Sequence, residues 1–372
     1  MNDTCITLLI ILLIIFFLVI NNFTDIETFS LEIEKTSNKS NSEIVKVKRP
    51  YVNIYDNNGQ MLNVILVSKP FSNDKDLKVY EDNKDKCIFI GITSYLEFPN
   101  IPSNPFENFT ENYKKYKYLE ICEGWIYGFR NPEKYFPPDL PTYFASESDW
   151  IDCNLCKPDH TIKKKYDFIY ICLKVDEKKK LCDDWATYNK NWALAQKCLD
   201  IFCNKYKLKG LLVGRKGCKL PEGCRYIETT NMLNYDDLKN KYNESRFIFI
   251  PNEKDASPRV LTEAMATNLP CLVNKNILGG WKYVNDKTGE FFTDEKDLTE
   301  SLDILLKKIR NNYYTPRDYF IRHYSVDKSG RKLKEFLYKH WKNRINIPEE
   351  QVAYLSPEFI KKKFESCRPS NK

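Results

Sequence analysis

An α/β fold, a parallel sheet with helices on both faces, is predicted by two features of the chain after Tyr166. Short, wholly apolar runs recur there, as strands buried on both faces require, and segments of helical period fill the gaps between them. The size agrees: 372 residues, 42% of them hydrophobic and 29% charged, suffice for two domains, each with its own core. An aromatic content of 14% argues against wholesale disorder.

The elements follow in order. Cys5 to Ile20, CITLLIILLIIFFLVI, is an uncharged run of sixteen residues. A bilayer span takes about 17–25 residues, so the run is short, though Thr4 and Asn21 extend it. It has no basic segment before it and no small-x-small cleavage site after it, which favours an uncleaved single-pass membrane anchor over a signal peptide. No Lys or Arg precedes the run, and the first one after it is Lys35, so the side on which the rest of the chain lies stays open. Sequons at Asn38, Asn108 and Asn243 fit a lumenal chain. Residues 21–50 read as a polar stalk. Residues 51–160 read as a compact, loop-heavy domain. LNVILVSKP (62–70) and KCIFIGITSY (86–95) are its strands, and seven prolines between Pro99 and Pro141 exclude long helices apart from YKKYKYLEICEGW. The second domain spans 161–312. Strands are expected at 167–173, 210–214, 246–250, 270–274 and 288–292, and helices at 189–206, 235–245, 258–267 and 295–313. Residues 313–345 read as closing helices and 346–372 as a tail.

Composition excludes some functions. The net charge is +7, from 58 basic and 51 acidic residues, but the basic residues are scattered, with short clusters such as those at Lys163–Lys165 and Lys361–Lys363. They form no stripe for a nucleic acid. Among 13 cysteines, Cys153 and Cys156 make one C-x-x-C, with His160 near and no second ligand pair, so loop cysteines or a local disulfide are expected there and no metal. Asp183-Asp184 and Asp236-Asp237 read as a turn and a helix start.

The stretch FIFIPNEKDASPRVLTEAMATNLPCLV concentrates the chemistry. It reads as strand, loop, helix, strand. Sheets of this kind bind ligands beyond the carboxyl ends of their strands. Pro258 suits the first helical turn, and Ser257 or Asp255 can cap it. The N–H groups of Arg259 and Val260 then face the crevice, where the helix dipole favours an anion such as a diphosphate. Val260, Leu261, Ala264 and Met265 form the buried face, with Glu263 off it beside Arg259. A plainer reading makes Arg259 and Glu263 a surface ion pair, worth only about 0.3–0.5 kcal/mol and in the poorer order for a helix.

This stretch resembles the donor-binding signature of the retaining glycosyltransferases of family 4, also called group 1, which have the GT-B fold. That signature runs E-G-F-P-x-V-x-x-E-A-M-A-x-G-x-P-V. Asp255 stands at its first acidic position and Glu263 at its second; EAMA, Asn268 in place of a glycine, and Leu269-Pro270 follow in frame. NILGGWKYVNDKTGEFF is similar to the family's G-G-x-x-E-x-V-x-x-x-x-G, with Gly279, Gly280 and Gly289 in place. The resemblance covers about 166–340. Anchored and compact, the chain is similar to transferases of large DNA viruses. The resemblance implies two Rossmann-like domains facing a cleft, the first of them reduced, and transfer of a sugar from a nucleoside-diphosphate sugar to a glycan, protein or lipid acceptor, with no cofactor or metal. It implies that Asp255 contacts the sugar, Glu263 the ribose, and Ala256, Ser257, Arg259 and Val260 the phosphates. Lys190 is the candidate phosphate-binding lysine, with a solvated helix-start residue as the equal alternative, and Lys174 or Arg215 the candidate replacement for the family's arginine. Gly214 and Leu233 edge the base. A catalytically degenerate nucleotide-sugar-binding or scaffolding membrane protein is the alternative, favoured by Asp255 and the displaced arginine. Glu123, Trp125 and Arg130 are candidate cleft residues of the first domain, but a buried tryptophan with satisfied charges is the favoured explanation of them.

Overall fold

The computed structural model describes residues 45–94, 96–100, 115–172, 182, 185–348 and 351–355. The expected anchor at 5–20 and most of the expected stalk and tail lie outside these residues. Among the described residues no helix is long and apolar enough to cross a membrane. The described residues from Arg49 onward form one compact unit.

The first sheet comprises β1 (Tyr51–Tyr55), β2 (Met61–Val67), β3 (Ile88–Ile92), β4 (Gly124–Tyr127) and β5 (Thr142–Phe144), in that spatial order. Only β1 and β2 are antiparallel; the other pairs are parallel. Helix α1 (Asp74–Asn83) links β2 to β3, with the Asn73 side chain accepting from the Lys75 N–H at its start. Within the expected helix around YKKYKYLEICEGW, the structure places α2 (Tyr118–Ile121), and Gly124–Tyr127 is taken into the sheet as β4. Trp125 on β4 is fully buried, and its indole N–H donates to Thr93 Oγ1 at 2.9 Å.

The second sheet comprises β6 (Tyr166–Ile171), β7 (Gly210–Val213), β8 (Ile227–Thr230), β9 (Ser245–Ile250), β10 (Cys271–Asn274) and β11 (Gly289–Phe292). All its pairs are parallel, in the order β11-β10-β9-β6-β7-β8. Its strands are apolar throughout because alternate residues feed two cores. Ile169, Leu211, Ile248 and Val273 face one side, under α5 (Tyr235–Glu244), α6 (Arg259–Ala266) and α8 (Pro316–His323). Phe168, Leu212, Phe249 and Leu272 face the other, under α4 (Trp192–Asn204) and α7 (Leu298–Arg310).

The last helix, α9 (Ser325–Trp341), returns to the first sheet. Its Leu333, Phe336, Leu337 and Trp341 pack on Ile54, Leu62, Ile90 and Ile126. Beyond it, Tyr354 bridges to Tyr55. Two polar links add to this return. The Glu123 carboxylate receives the Arg344 guanidinium at 2.9 Å and the Trp341 indole N–H at 3.2 Å, the satisfied charge that the plainer reading of Glu123, Trp125 and Arg130 expects. A buried ion pair, Lys282 to Asp149 at 2.7 Å, joins the segment after Gly280 to the turn after β5. Burial pushes the Lys282 ammonium pKa down, opposed by Asp149. Tyr283 also donates to Asp149, and the Lys282 ammonium lies 4.8 Å from the Phe144 ring centroid.

Removing one partner of a buried pair leaves the other charge desolvated. Lys282→Met should therefore lower unfolding free energy by about 3 kcal/mol in denaturant titration. Adding Asp149→Asn in the same chain should restore much of that loss.

Candidate active site

The order of the second sheet creates the site. The chain builds outward from β6 through β7 to β8, then re-enters on the other side of β6 as β9. The loops after β6 and β9 therefore part over a crevice at their carboxyl ends, the topological switch point where such sheets bind ligands. Asp255 lies on the loop after β9, and Lys190 on the connection after β6. The structure brings them together as an ion pair, with side chains 24% (Lys190) and 10% (Asp255) exposed, so the pair is partly shielded from water. The Asn252 side chain donates to Asp255 Oδ2 at 2.9 Å, and the Ser257 N–H to Oδ1 at 3.3 Å. The Tyr170 hydroxyl, on β6, holds the Lys190 carbonyl at 3.1 Å. Asn191 donates to Glu253 Oε1 at 3.2 Å.

Lys190 does not open a continuous helix over 189–206, as the sequence suggested. The helix is broken into α3 (Trp185–Asn189) and α4, with Lys190 in the break. Asn191 adopts a left-handed φ of 51°, and its side chain accepts from the Leu194 N–H at 3.3 Å, so it caps a new helix.

Helix α6 starts one residue later than expected. Pro258 is its N-cap, and no side chain caps it. Neither Ser257 nor Asp255 does so, because both are engaged elsewhere: Ser257 Oγ lies 2.8 Å from Ser148 Oγ and accepts from the Ser148 N–H at 3.2 Å. The Arg259 N–H turns back to the Ser257 carbonyl at 2.9 Å. At the other end, Leu269 N–H bonds to Ala264 and Asn268 N–H to Met265, both at 2.9 Å, a Schellman cap. Asn268 has a φ of 63°, which explains how it occupies the usual glycine position.

Glu263 is not off the buried face. Its side chain is 6% exposed while that of Arg259 is 59% exposed, so their 3.9 Å approach is no surface pair. The difference arises because α5 brings the fully buried Tyr242 against its carboxylate. The Tyr242 hydroxyl donates to Glu263 Oε2 at 2.9 Å. Burial pushes the Glu263 pKa up, and Arg259 and the Tyr242 bond act against it.

The glycine pair clamps the Asp255 loop. Leu278 N–H donates to the Glu253 carbonyl at 2.8 Å and Gly279 N–H to that of Asp255 at 2.9 Å. A Cβ on Gly279 would stand 1.9 Å from the Ala256 carbonyl oxygen, so only glycine permits this approach. A Cβ on Gly128, after β4, would stand 3.2 Å from the same oxygen. Ala256 is thus wedged between both sheets' loops, and Val260 packs partly into the core below. Arg130 reinforces the contact, donating to the Lys275 and Ile277 carbonyls at 3.1 Å each.

Other candidates fall elsewhere. Gly214 ends β7 with a φ of 81°, and Leu233 packs against the core; neither is bonded to the pair. Arg215 lies against the connection that carries Lys190, over the Trp192 ring at 5.4 Å. It is fully buried, its Nε donating to the Cys172 and Gly214 carbonyls at 3.0 Å and its NH1 to Thr187 Oγ1 at 3.1 Å, so it secures the connection that carries Lys190. Lys174 lies outside the described residues. Cys153 and Cys156 are buried thiols that form no local disulfide; Cys156 Sγ lies 2.9 Å from the Tyr235 hydroxyl. Disulfides instead join Cys182 to Cys218 and Cys203 to Cys224, pairings the sequence did not single out. Among the described residues no cluster suits a metal ion. The Asn243 sequon is closed: the side chain is buried and accepts from the Asp159 N–H at 2.8 Å. Asn38 and Asn108 lie outside the described residues. Sequence reasoning missed Asn252 and Tyr242, whose roles come from partners 3 and 21 positions away.

No family model matches the sequence, and no curated protein matches it. Solved structures do. A glycosyltransferase from Rickettsia africae is similar at 14% identity and a TM-score of 0.53, covering 75% of this chain and 77% of its own. HepE from Anabaena, solved with UDP and glucose, is similar at 12% identity and a TM-score of 0.52, covering 74% and 78%. TarM is similar at 12% identity and a TM-score of 0.50, covering 76% of this chain; the chain spans 54% of TarM. The fold is therefore the two-sheet GT-B arrangement of glycosyltransferases.

A carboxyl whose pKa is raised by folding binds its proton more tightly in the native state, so it costs stability as pH rises past the unfolded value. Glu263→Gln should raise the melting temperature at neutral pH. The gain should shrink as pH falls below the ordinary carboxylate range, as scanning calorimetry across pH would show.

Proposed function

We propose that the protein is a retaining glycosyltransferase that moves a sugar from a nucleoside-diphosphate sugar to a hydroxyl acceptor. The observation that carries this reading is the meeting of Lys190 and Asp255 at the switch point of a GT-B fold, with Glu263 on the helix that follows. The leaving diphosphate gains negative charge as the anomeric bond breaks, and fixed positive groups lower that barrier. Lys190 supplies a full charge, and the amino-terminal end of α6 supplies its dipole and the Val260 N–H, since the Arg259 N–H is taken by the Ser257 carbonyl. When the donor binds, the Lys190 ammonium transfers from Asp255 to phosphate, and Asp255 is released to accept from sugar hydroxyls. Glu263, held by Tyr242 through Oε2, keeps Oε1 for the ribose hydroxyls. A positive charge and a helix end do for the phosphates what a divalent ion does elsewhere, so no metal is needed in this scheme.

The two disulfides support placing this region in an oxidising compartment, since cytosolic thiols stay reduced. With residues 5–20 as a single-pass anchor, the catalytic region then faces a lumen or the exterior.

A second reading, a nucleotide-sugar-binding protein without turnover, is favoured by one observation: the buried Arg215 leaves Lys190 without a second cation among the described residues bonded at the pair. Release of free nucleotide from a panel of nucleoside-diphosphate sugars separates the two. The proposed activity expects release that persists in EDTA, a product of unchanged anomeric configuration by NMR, and a fall of about 100-fold or more in Glu263→Ala. Binding without release would support the second reading.

A further inference from the structure

One turn after β7 grips the connection that carries Lys190. The turn is Arg215–Cys218, closed by the Cys218 N–H donating to the Arg215 carbonyl at 3.1 Å, with Gly217 at a φ of 79°. The Lys216 N–H anchors it to the Thr230 carbonyl, at the end of β8, at 3.0 Å. Both ends of the turn reach the connection after β6. From one end, Arg215 donates to the Cys172 carbonyl at 3.0 Å and to Thr187 Oγ1 at 3.1 Å. From the other, Cys218 is joined by a disulfide to Cys182, which precedes α3.

Helix α3 runs from Trp185 to Asn189 and delivers the chain to Lys190. With five residues it has no stability of its own, so its direction is set by what holds it. At its far end the Tyr170 hydroxyl takes the Lys190 carbonyl, and the Tyr170 and Trp192 rings stack at 5.8 Å. Along it, Thr187 is held by Arg215. At its start the hold is covalent. The hydrogen bonds exchange with water, whereas the disulfide does not.

We propose that the Cys182–Cys218 disulfide positions Lys190. It fixes the start of α3, and through that helix the direction from which the ammonium meets a donor diphosphate. Cys182 and Cys218 are positioning residues that touch no substrate, and their role rests on the glycosyl-transfer reading above. The second disulfide supplies a contrast, because it joins Cys203, in the last turn of α4, to Cys224, ahead of β8. The two bonds span 36 and 21 residues, so they restrict the unfolded chain to a similar degree. A purely stabilising role therefore predicts similar consequences from losing either bond. A positioning role predicts that losing the first alone changes ligand affinity.

The test is titration calorimetry of the full chain with uridine, guanosine, adenosine and thymidine diphosphates. For the diphosphate that the unaltered protein binds, Cys182→Ser with Cys218→Ser should weaken affinity about threefold to tenfold, the cost of ordering one long side chain on binding. Cys203→Ser with Cys224→Ser should stay within about twofold. In a Lys190→Met background, removing the first bond should change affinity by less than about twofold, because the group it positions is gone. Unchanged affinity without the first bond, equal weakening from either pair, or undiminished weakening in the Lys190→Met background would overturn the proposal. Should the Cys182→Ser, Cys218→Ser chain fail to fold by circular dichroism, the folded Cys203→Ser, Cys224→Ser protein is treated with dithiothreitol. Exchange leaves Cys182 and Cys218 as thiols and closes the reagent to its own disulfide. The same weakening is expected, and unchanged binding would overturn the proposal. If the unaltered protein binds none of the diphosphates, the glycosyl-transfer reading fails, and the positioning role with it.

Discussion

The ion pair between Lys190 and Asp255 depends on a reversal in the order of strands. Because β9 re-enters beside β6, two segments 65 residues apart in sequence end on adjacent strands and reach over the same crevice. Neither side chain is placed by its own helix. Lys190 sits in a break created by the left-handed Asn191, and Asp255 sits on a loop whose carbonyls are taken by Leu278 and Gly279. The surrounding structure therefore fixes both backbones, while the bond between the side chains can be exchanged for a ligand. A lysine held by a carboxylate before binding loses less rotamer freedom when phosphate replaces that carboxylate.

The same loop is also where the two sheets meet. Ser257 bonds to Ser148, Ala256 lies against Gly128, and Arg130 caps the Lys275 and Ile277 carbonyls. The buried Lys282 to Asp149 pair and the return of α9 to the first sheet close the contact. The Asp255 loop and the rim of the first sheet are thus positioned by shared contacts, which suits the proposed transfer, in which a hydroxyl must approach the sugar before the leaving group departs.

How much of this the sequence disclosed varies with the physics of each part. The strands of the second sheet were legible because burial on both faces leaves continuous apolar runs such as RFIFI. The strand at 227–230 was not, since an edge strand reading IETT carries no such run. Helix α9 was legible as a helix, but its destination was not; periodicity marks an apolar face without saying which sheet it covers. In the site, Asp255 and Glu263 stood out through their spacing, whereas the burial of Glu263 depended on a second helix packing over it. Arg215 misled because residue type does not distinguish a guanidinium aimed at phosphate from one holding backbone carbonyls. The disulfides were hidden for a similar reason: thirteen cysteines allow many pairings, and only the fold selects among them.

Nucleoside-diphosphate affinity measured by titration calorimetry on the Lys190→Met and Asp255→Asn variants tests the central claim most directly. If the pair is the phosphate subsite, Lys190→Met should weaken binding about tenfold or more, the worth of a charge-assisted contact. Asp255→Asn should bind the diphosphate at least as tightly as the unaltered protein, because its lysine no longer has a competing carboxylate. Equal affinity in Lys190→Met and the unaltered protein would contradict the claim.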